Sequence, residues 1–264
     1  MRIALGVEYD GAGFCGLQSQ PEGCGVQDAL EKAIESIAEH DIRIHAAGRT
    51  DTGVHAMIQV VHFDTEAERP ESAWVRGVNA FLPETVRVLW SKKMDKIEGQ
   101  DDFHARFSAK CRNYQYLLVN APVAPAILAR KAGWYHLPLN VVAMQLAANF
   151  LLGTHDFSAF RASECQAKSP IKTLLKADVH AHANQIVFEF SANAFLQHQV
   201  RNMVGALIYI GNGKYSPDYM KTLMTNLSRT EAPPTFSANG LYLTGVEYDK
   251  KWALPNTYRS ITLI

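Results

Sequence analysis

A chain of 264 residues, 47% hydrophobic and 20% charged, has the composition of a globular protein with enough length to bury a sizeable core as one large domain or two small ones. No apolar run approaches the roughly 20 residues that cross a bilayer, which excludes a helical membrane protein and predicts a soluble one. The 26 basic and 26 acidic residues cancel, so a polyanionic partner has to be met by a local patch and not by the field of the whole molecule.

Along the chain, Ile3, Leu5, Val7 and Tyr9 alternate with the period of a half-buried strand. The same N-terminal stretch meets an acid, Glu8, too early for a signal-peptide core, and the expected location is the cytoplasm. Val26, Leu30, Ala33, Ile34 and Ile37 then recur at helical spacing. Two apolar runs, Ile42 to Ala47 and Met57 to Phe63, read as strands, and Pro70 opens a second helix that ends before Pro83. Val86 to Met94 reads as a strand, completing the order β-α-β-β-α-β.

A polar stretch from Lys96 to Asp102 precedes the second half. There Ser108 to Val119 reads as a strand, and Asn140 caps a helix over Val141 to Leu152 that Gly153 ends. Lys172 to His180 and Gln185 to Ala192 read as strands joined by a tight Ala183-Asn184 turn. Val200, Met203, Val204, Leu207 and Ile208 mark a long helix, Ser216-Pro217 starts a short one, and Leu241 to Tyr248 closes as a strand. The order β-α-β-β-α-β thus occurs twice. It predicts an α+β fold of two ferredoxin-like halves with largely antiparallel sheet, residues 1–104 carrying the loop described next and residues 105–264 completing a shared cleft.

That loop, Gly48-Arg49-Thr50-Asp51-Thr52-Gly53-Val54-His55, lies between two predicted strands and sets a guanidinium and a carboxylate two residues apart with glycine on both sides. Other motif-like stretches carry less. Gly11-Ala12-Gly13-Phe14-Cys15-Gly16 spells G-x-G-x-x-G after a strand, yet Pro21, Gly23 and Gly25 intervene before any helical pattern, so no helix N-terminus is in place for a pyrophosphate and no nucleotide cofactor is expected. Asp51-Thr52-Gly53 resembles the triad of aspartic hydrolases, which need a second copy that this chain lacks. His55 and His62, or His180 and His182, have no metal-ligand spacing with cysteine or carboxylate, and Ser158, Ser163 and Ser169 lack the setting of an acyl-transfer nucleophile. Cys15, Cys24, Cys111 and Cys165 show no C-x-x-C spacing and are too sparse for a disulfide scaffold, so reduced thiols are expected.

The Gly48 to Ala56 stretch resembles the signature of the tRNA pseudouridine synthase A family of RNA-modifying isomerases. The same order of family-like segments continues through Val7-Glu8-Tyr9-Asp10-Gly11, Asp102-Phe103-His104-Ala105-Arg106-Phe107-Ser108, Tyr114-Gln115-Tyr116, His155-Asp156-Phe157-Ser158-Ala159-Phe160-Arg161, Asn193-Ala194-Phe195 and His198-Gln199-Val200-Arg201-Asn202-Met203-Val204-Gly205. The resemblance implies a homodimer that converts uridines at positions 38, 39 and/or 40 of the tRNA anticodon arm to pseudouridine, a reaction that needs no cofactor and no metal. It implies Asp51 as the catalytic carboxylate, Arg201 as its charge partner, Arg49 as an RNA contact and Tyr114 as the tyrosine that meets the uracil, a role that spacing alone does not deny to Tyr116. Arg106, Lys110, Arg112, Arg161, Lys168 and Lys172 lie near the matched segments and are candidates for a phosphate-tracking patch. Two features depart from the family pattern: Leu17 stands where tryptophan is common, and Asn113 where a second basic residue is common. A non-catalytic tRNA-binding or chaperone protein of the same fold is the alternative reading, followed by an aspartic hydrolase whose second Asp-Thr-Gly copy a homodimer would supply.

Overall fold

Strand β1 (Arg2–Tyr9) buries both of its faces, where its alternation predicts only one. It is a central strand, paired antiparallel with β3 (His55–Asp64) on one side and β4 (Val86–Met94) on the other. The middle of its second face is built of the small residues Ala4 and Gly6. Gly6 sits opposite Trp90 in register, and a Cβ at Gly6 would overlap the Trp90 ring. The missing side chain is what lets an indole cover that face.

This computed structural model describes residues 1–96, 99 and 101–261. The chain divides into two compact units: the first runs to Cys111 and resumes at Leu243, and the second is Arg112–Tyr242. The polar stretch that precedes the predicted second half includes positions 97, 98 and 100, which lie outside the described residues. The two points of division lie instead within strands, inside β5 (Ala109–Asn120) and inside β10 (Leu241–Tyr248).

In the first unit the strand order is β4-β1-β3-β10, with the two-residue β2 (His45–Ala46) on β3. Helix α1 (Val26–Ala38) buries Val26, Leu30, Ala33, Ile34 and Ala38 on one stripe. Its N-terminus is closed by the Asp28 carboxylate, which accepts the Gly25 N–H at 2.8 Å. The second helical stretch begins at Glu71, widens into a π turn over Ala73–Gly77 and tightens into α2 (Val78–Phe81). Trp74 from that turn packs edge-on against Phe63 of β3, ring centroids 5.3 Å apart.

In the second unit the order is β5-β9-β8-β7, with β6 (Gly133–Tyr135) parallel on β5 and the remaining pairs antiparallel. Strands β8 (Ile171–His182) and β9 (Gln185–Ala192) are joined by the predicted Ala183-Asn184 turn, where Ala183 takes φ 53°. Asn140 caps α3 (Val141–Ala148), its side-chain oxygen accepting the Ala143 N–H at 3.0 Å. Helices α4 (Gln199–Gly211) and α5 (Tyr219–Asn226) follow. Two strands escape the periodicity, β6 and β7 (Gly153–Asp156); three or four residues are too few to display a period of two. The protein is an α+β fold with a mostly antiparallel sheet in each unit.

Candidate active site

The Asp51 loop joins β2 to β3 and is anchored through the residues beside Asp51. Tyr9, the last residue of β1, shares a buried hydrogen bond with the Thr50 hydroxyl at 2.8 Å. The Thr50 carbonyl accepts the Leu17 N–H at 3.0 Å, and the Gly48 carbonyl accepts the Gln59 side-chain N–H at 2.8 Å. Val54 N–H closes a turn onto the Asp51 carbonyl at 3.1 Å, with Gly53 at φ 80°. Thr50 and Gln59 are buried, Asp51 is half-buried and Arg49 is exposed. A carboxylate therefore sits at the rim of a firmly held loop with a guanidinium two residues away. Burial pushes the Tyr9 phenol up to about 12, with Thr50 and Gln59 acting in the opposite sense, so its hydroxyl keeps its proton for the bond to Thr50.

The glycines of the G-x-G-x-x-G stretch have a structural use here. Residues Gly11–Gly13 form one 3-10 turn, and α1 begins only at Val26, as the intervening Pro21, Gly23 and Gly25 imply. A Cβ on Gly11 would overlap the Val54 carbonyl. One on Gly16, which takes φ 98°, would lie 2.9 Å from the Thr50 carbonyl oxygen and 3.2 Å from Thr52 N. The glycine-rich segment is thus the wall against which the Asp51 loop packs. His55, at the loop's far end, is buried with Nδ1 3.1 Å from Gly11 N and 2.9 Å from Asp10 Oδ1. The thiol expectation is corrected on this segment: Cys15 and Cys24 are joined in a disulfide. Sequence spacing missed it because the nine-residue separation is closed by a backbone turn, in which Cys15 N–H donates to Cys24 O at 2.9 Å and the Cα atoms stand 5.4 Å apart. Cys111 and Cys165 are free and buried.

Tyr114, Arg112, Arg161 and Arg201 belong to the second unit, whereas Asp51, Arg49 and Arg106 belong to the first. On β5, Tyr114 is buried with its ring edge-on to Phe195 at 5.2 Å. Tyr116 is fully buried, donates its hydroxyl to the Ser237 carbonyl at 2.9 Å and is flanked by Phe188 and Phe236. Burial raises its phenol pKa well above the usual value. The environment thus separates two tyrosines that spacing leaves equivalent: Tyr116 is a core residue.

Arg201 lies in the first turn of α4, half-buried, and its Nε donates to the Phe236 carbonyl at 2.9 Å. The adjacent Asn202 is fully buried; its amide donates to Phe160 O at 2.7 Å while its oxygen accepts from Thr235 at 2.7 Å. Gly205 allows the Pro234 carbonyl to approach this helix closely. The segment from Gln199 to Gly205 is therefore held on two sides by backbone and amide contacts.

Several of the basic candidates are engaged in local structure. Arg112 donates to Asn193 O at 2.9 Å, and Arg161 to Cys165 O at 2.6 Å and Ala167 O at 2.9 Å. Lys172 donates to Ser169 O at 2.6 Å, Lys110 pairs with Asp249 at 2.8 Å, and Lys168 and Arg106 are exposed. The carbonyl partners of Arg161 and Lys172 carry no formal charge. Leu17 is buried, and Asn113 bonds Ser191 across the β5–β9 pair, so each departing position has a packing role of its own. Among the described residues, no group of three or more His, Cys, Asp or Glu side chains could hold a metal ion, and no helix is long and apolar enough to cross a membrane.

Sequence reasoning did not single out Tyr9 or Gln59. One signal was present: Gln59 is an amide inside the apolar run Met57 to Phe63, and a polar side chain in a fully buried strand needs a partner, here the carbonyl of Gly48.

The sequence profile of the tRNA pseudouridine synthase family matches residues 6–111 and 147–249. The chain is 61% identical to a tRNA pseudouridine synthase A from Methylobacillus flagellatus over 263 residues, covering 100% of this chain and 99% of that protein. It is 56% identical to the protein of the same description from Chromobacterium violaceum, covering 97% and 96% of the two chains. A third, from Nitrosomonas eutropha, is 54% identical over 97% of this chain and 90% of its own. With the profile covering most of both units, including the Asp51 loop, β5 through Cys111 and the whole of α4, the chain belongs to the tRNA pseudouridine synthase family.

Proposed function

We propose that this protein isomerises uridine to pseudouridine in the anticodon arm of tRNA, at positions 38, 39 and/or 40, with Asp51 as the reacting carboxylate. The observation that carries the reading is the setting of Asp51: a half-buried carboxylate on a loop whose flanks are fixed by Tyr9, Leu17 and Gln59. Catalytic groups need such fixed placement more than they need many contacts of their own.

The reaction breaks the C1′–N1 bond of uridine, turns the detached uracil and joins its C5 to C1′, with loss of the C5 proton. Atoms balance without an added group, so the chemistry calls for no nucleotide, redox carrier or metal. A carboxylate suits it by reacting covalently with sugar or base, or by stabilising positive charge that develops at C1′ and taking a proton from the sugar. Hydrolytic glycosidases use a second carboxylate to handle the leaving group or water; here the detached base is the acceptor, so one carboxylate is sufficient.

The target nucleotide has to leave the stack, at a cost of a few kcal/mol. Arg49, exposed beside Asp51, contacts the RNA and helps displace the base. Tyr114 and Arg201 bind the target nucleotide, the tyrosine ring by stacking on uracil and its hydroxyl by assisting proton transfer at C5. Tyr116 is a poor candidate for that role because its hydroxyl already serves Ser237. Arg106, Arg112 and Arg161 contribute phosphate contacts. The protein works as a cytoplasmic homodimer.

The test is tritium release from tRNA labelled at uridine C5. The native protein is expected to release label without cofactor, and Asp51→Ala to release none while still binding tRNA. Absence of release by the native protein from anticodon-arm uridines would leave an RNA-binding role as the better account.

A further inference from the structure

Cys15 and Cys24 lie on the segment that walls the Asp51 loop, and no step of the isomerisation uses them. Cys15 is exposed and Cys24 half-buried, so the segment that carries them meets solvent. Their Cα atoms are 5.4 Å apart, and the Cys15 N–H to Cys24 O bond holds the two backbones together independently of the sulfurs. The thiols would therefore remain neighbours after reduction. The residues that follow Cys15 are the ones that touch the catalytic loop. Gly16 packs against Thr50 and Thr52, and Leu17 N–H donates to the Thr50 carbonyl. On the other side, Gly16 O and Leu17 O accept the N–H groups of Val26 and Gln27 at 3.1 and 2.9 Å, at the start of α1.

We propose that Cys15 and Cys24 form a reversible thiol–disulfide modification site, oxidised by a low-molecular-weight disulfide of the glutathione class, that sets how firmly the Asp51 loop is held. The Cys15 thiolate attacks one sulfur of the small disulfide, forming a mixed disulfide and expelling one small thiolate. The Cys24 thiolate then attacks Cys15 Sγ and expels the second. Two protein thiols and one small disulfide become one protein disulfide and two small thiols; the two electrons and both protons end on the small thiols. In the bridged form the Gly16-Leu17 wall is tethered at both ends, which narrows the excursions of the Thr50-Asp51 backbone. In the dithiol form the backbone hydrogen bonds and the packing of Gly16 and Leu17 remain, without the covalent tether. The bridged form is accordingly the faster catalyst, by pre-organisation of Asp51.

For its activity arm this inference rests on the proposed isomerisation; its other arms do not. The full chain is treated with glutathione disulfide or with dithiothreitol, and its thiols are counted after unfolding. Four are expected in the reduced form and two, Cys111 and Cys165, in the oxidised one. Hydrogen exchange of the peptide spanning Gly48 to Ala56 is then compared, together with label release from tRNA. The oxidised form should exchange more slowly and release label at least about fivefold faster, the lower end of ordinary coupling between sites. Cys15→Ser and Cys24→Ser should both behave as the reduced form under either treatment. A count of four thiols after glutathione disulfide, or glutathione adducts with no linked Cys15–Cys24 peptide, overturns the proposal. So does a bridged form whose loop exchange matches that of the dithiol form. If neither form releases label, the proposed isomerisation fails and the thiol count with loop exchange still decides this site.

Discussion

The backbone on both sides of Asp51 carries the anchors, so the carboxylate and its supports can be tested separately. Asp51→Asn keeps the size and removes the charge. It is expected to retain tRNA binding and to lower the rate of label release by about 10⁴-fold, the scale on which removal of one catalytic carboxylate has been felt in other enzymes. Tyr9→Phe removes only the hydroxyl that meets Thr50 at 2.8 Å. A buried hydrogen bond contributes about 1 kcal/mol, so urea unfolding should show a loss of that order. Because Tyr9 acts through Thr50 and not on the substrate, kcat should fall while KM for tRNA stays unchanged. A change confined to KM would remove Tyr9 from the support of Asp51.

Among the elements, the glycine segment before α1 and the histidine-bearing strand β3 make different demands. Gly16→Ala places a side chain at φ 98° and within 2.9 Å of the Thr50 carbonyl. Strain of about 1–3 kcal/mol is expected in thermal unfolding, with loss of activity, whereas Gly13→Ala, where nothing lies within 4 Å, should leave both unchanged. On β3, burial and then the charges of Arg2, His104 and His45 depress His62 from 6.5 to about 3. Its Nδ1 accepts the Ala105 N–H at 3.1 Å, a bond that the protonated ring cannot accept. The unfolded chain binds this proton near pH 6.5 and the folded one only near 3. The stability is therefore complete above about pH 6.5 and is lost progressively as pH falls toward 3, by at most about 1.4 kcal/mol per pH unit. His62→Asn keeps an acceptor without the titration and should flatten that acid limb in urea midpoints measured between about pH 6 and 4.

At the level of the whole molecule, 26 basic residues balance 26 acidic ones, so tRNA affinity has to come from local charge. The logarithm of the binding constant should fall linearly with the logarithm of salt concentration. Arg112→Ala should weaken binding and reduce that slope by about 1. Arg161→Ala should do the same and also destabilise the fold, because this guanidinium bridges the carbonyls of Cys165 and Ala167. A slope near zero for the native protein would mean that phosphates are not contacted by these side chains.

The sequence by itself determined the loop of interest and the order of the longer elements, though not the short β6 and β7. Strand and helix periods are local, and Asn140, Pro70, Pro83 and the Ala183-Asn184 turn act within a few residues of themselves. It also singled out Asp51 as a candidate, because a carboxylate two residues from a guanidinium between glycines is legible without any partner. Tertiary structure alone decided which buried positions support that loop. Tyr9 and Thr50 are 41 residues apart and meet only once β1 lies beside β3. It likewise set Tyr116 apart from Tyr114, through a carbonyl 121 residues away at Ser237, and brought Cys15 to Cys24. It moved the division of the chain from the polar stretch into β5 and β10, since strands are assigned to a unit by the neighbours they pair with, and those neighbours are distant in sequence. Periodicity records which face of an element is apolar; it holds no record of what that face will meet.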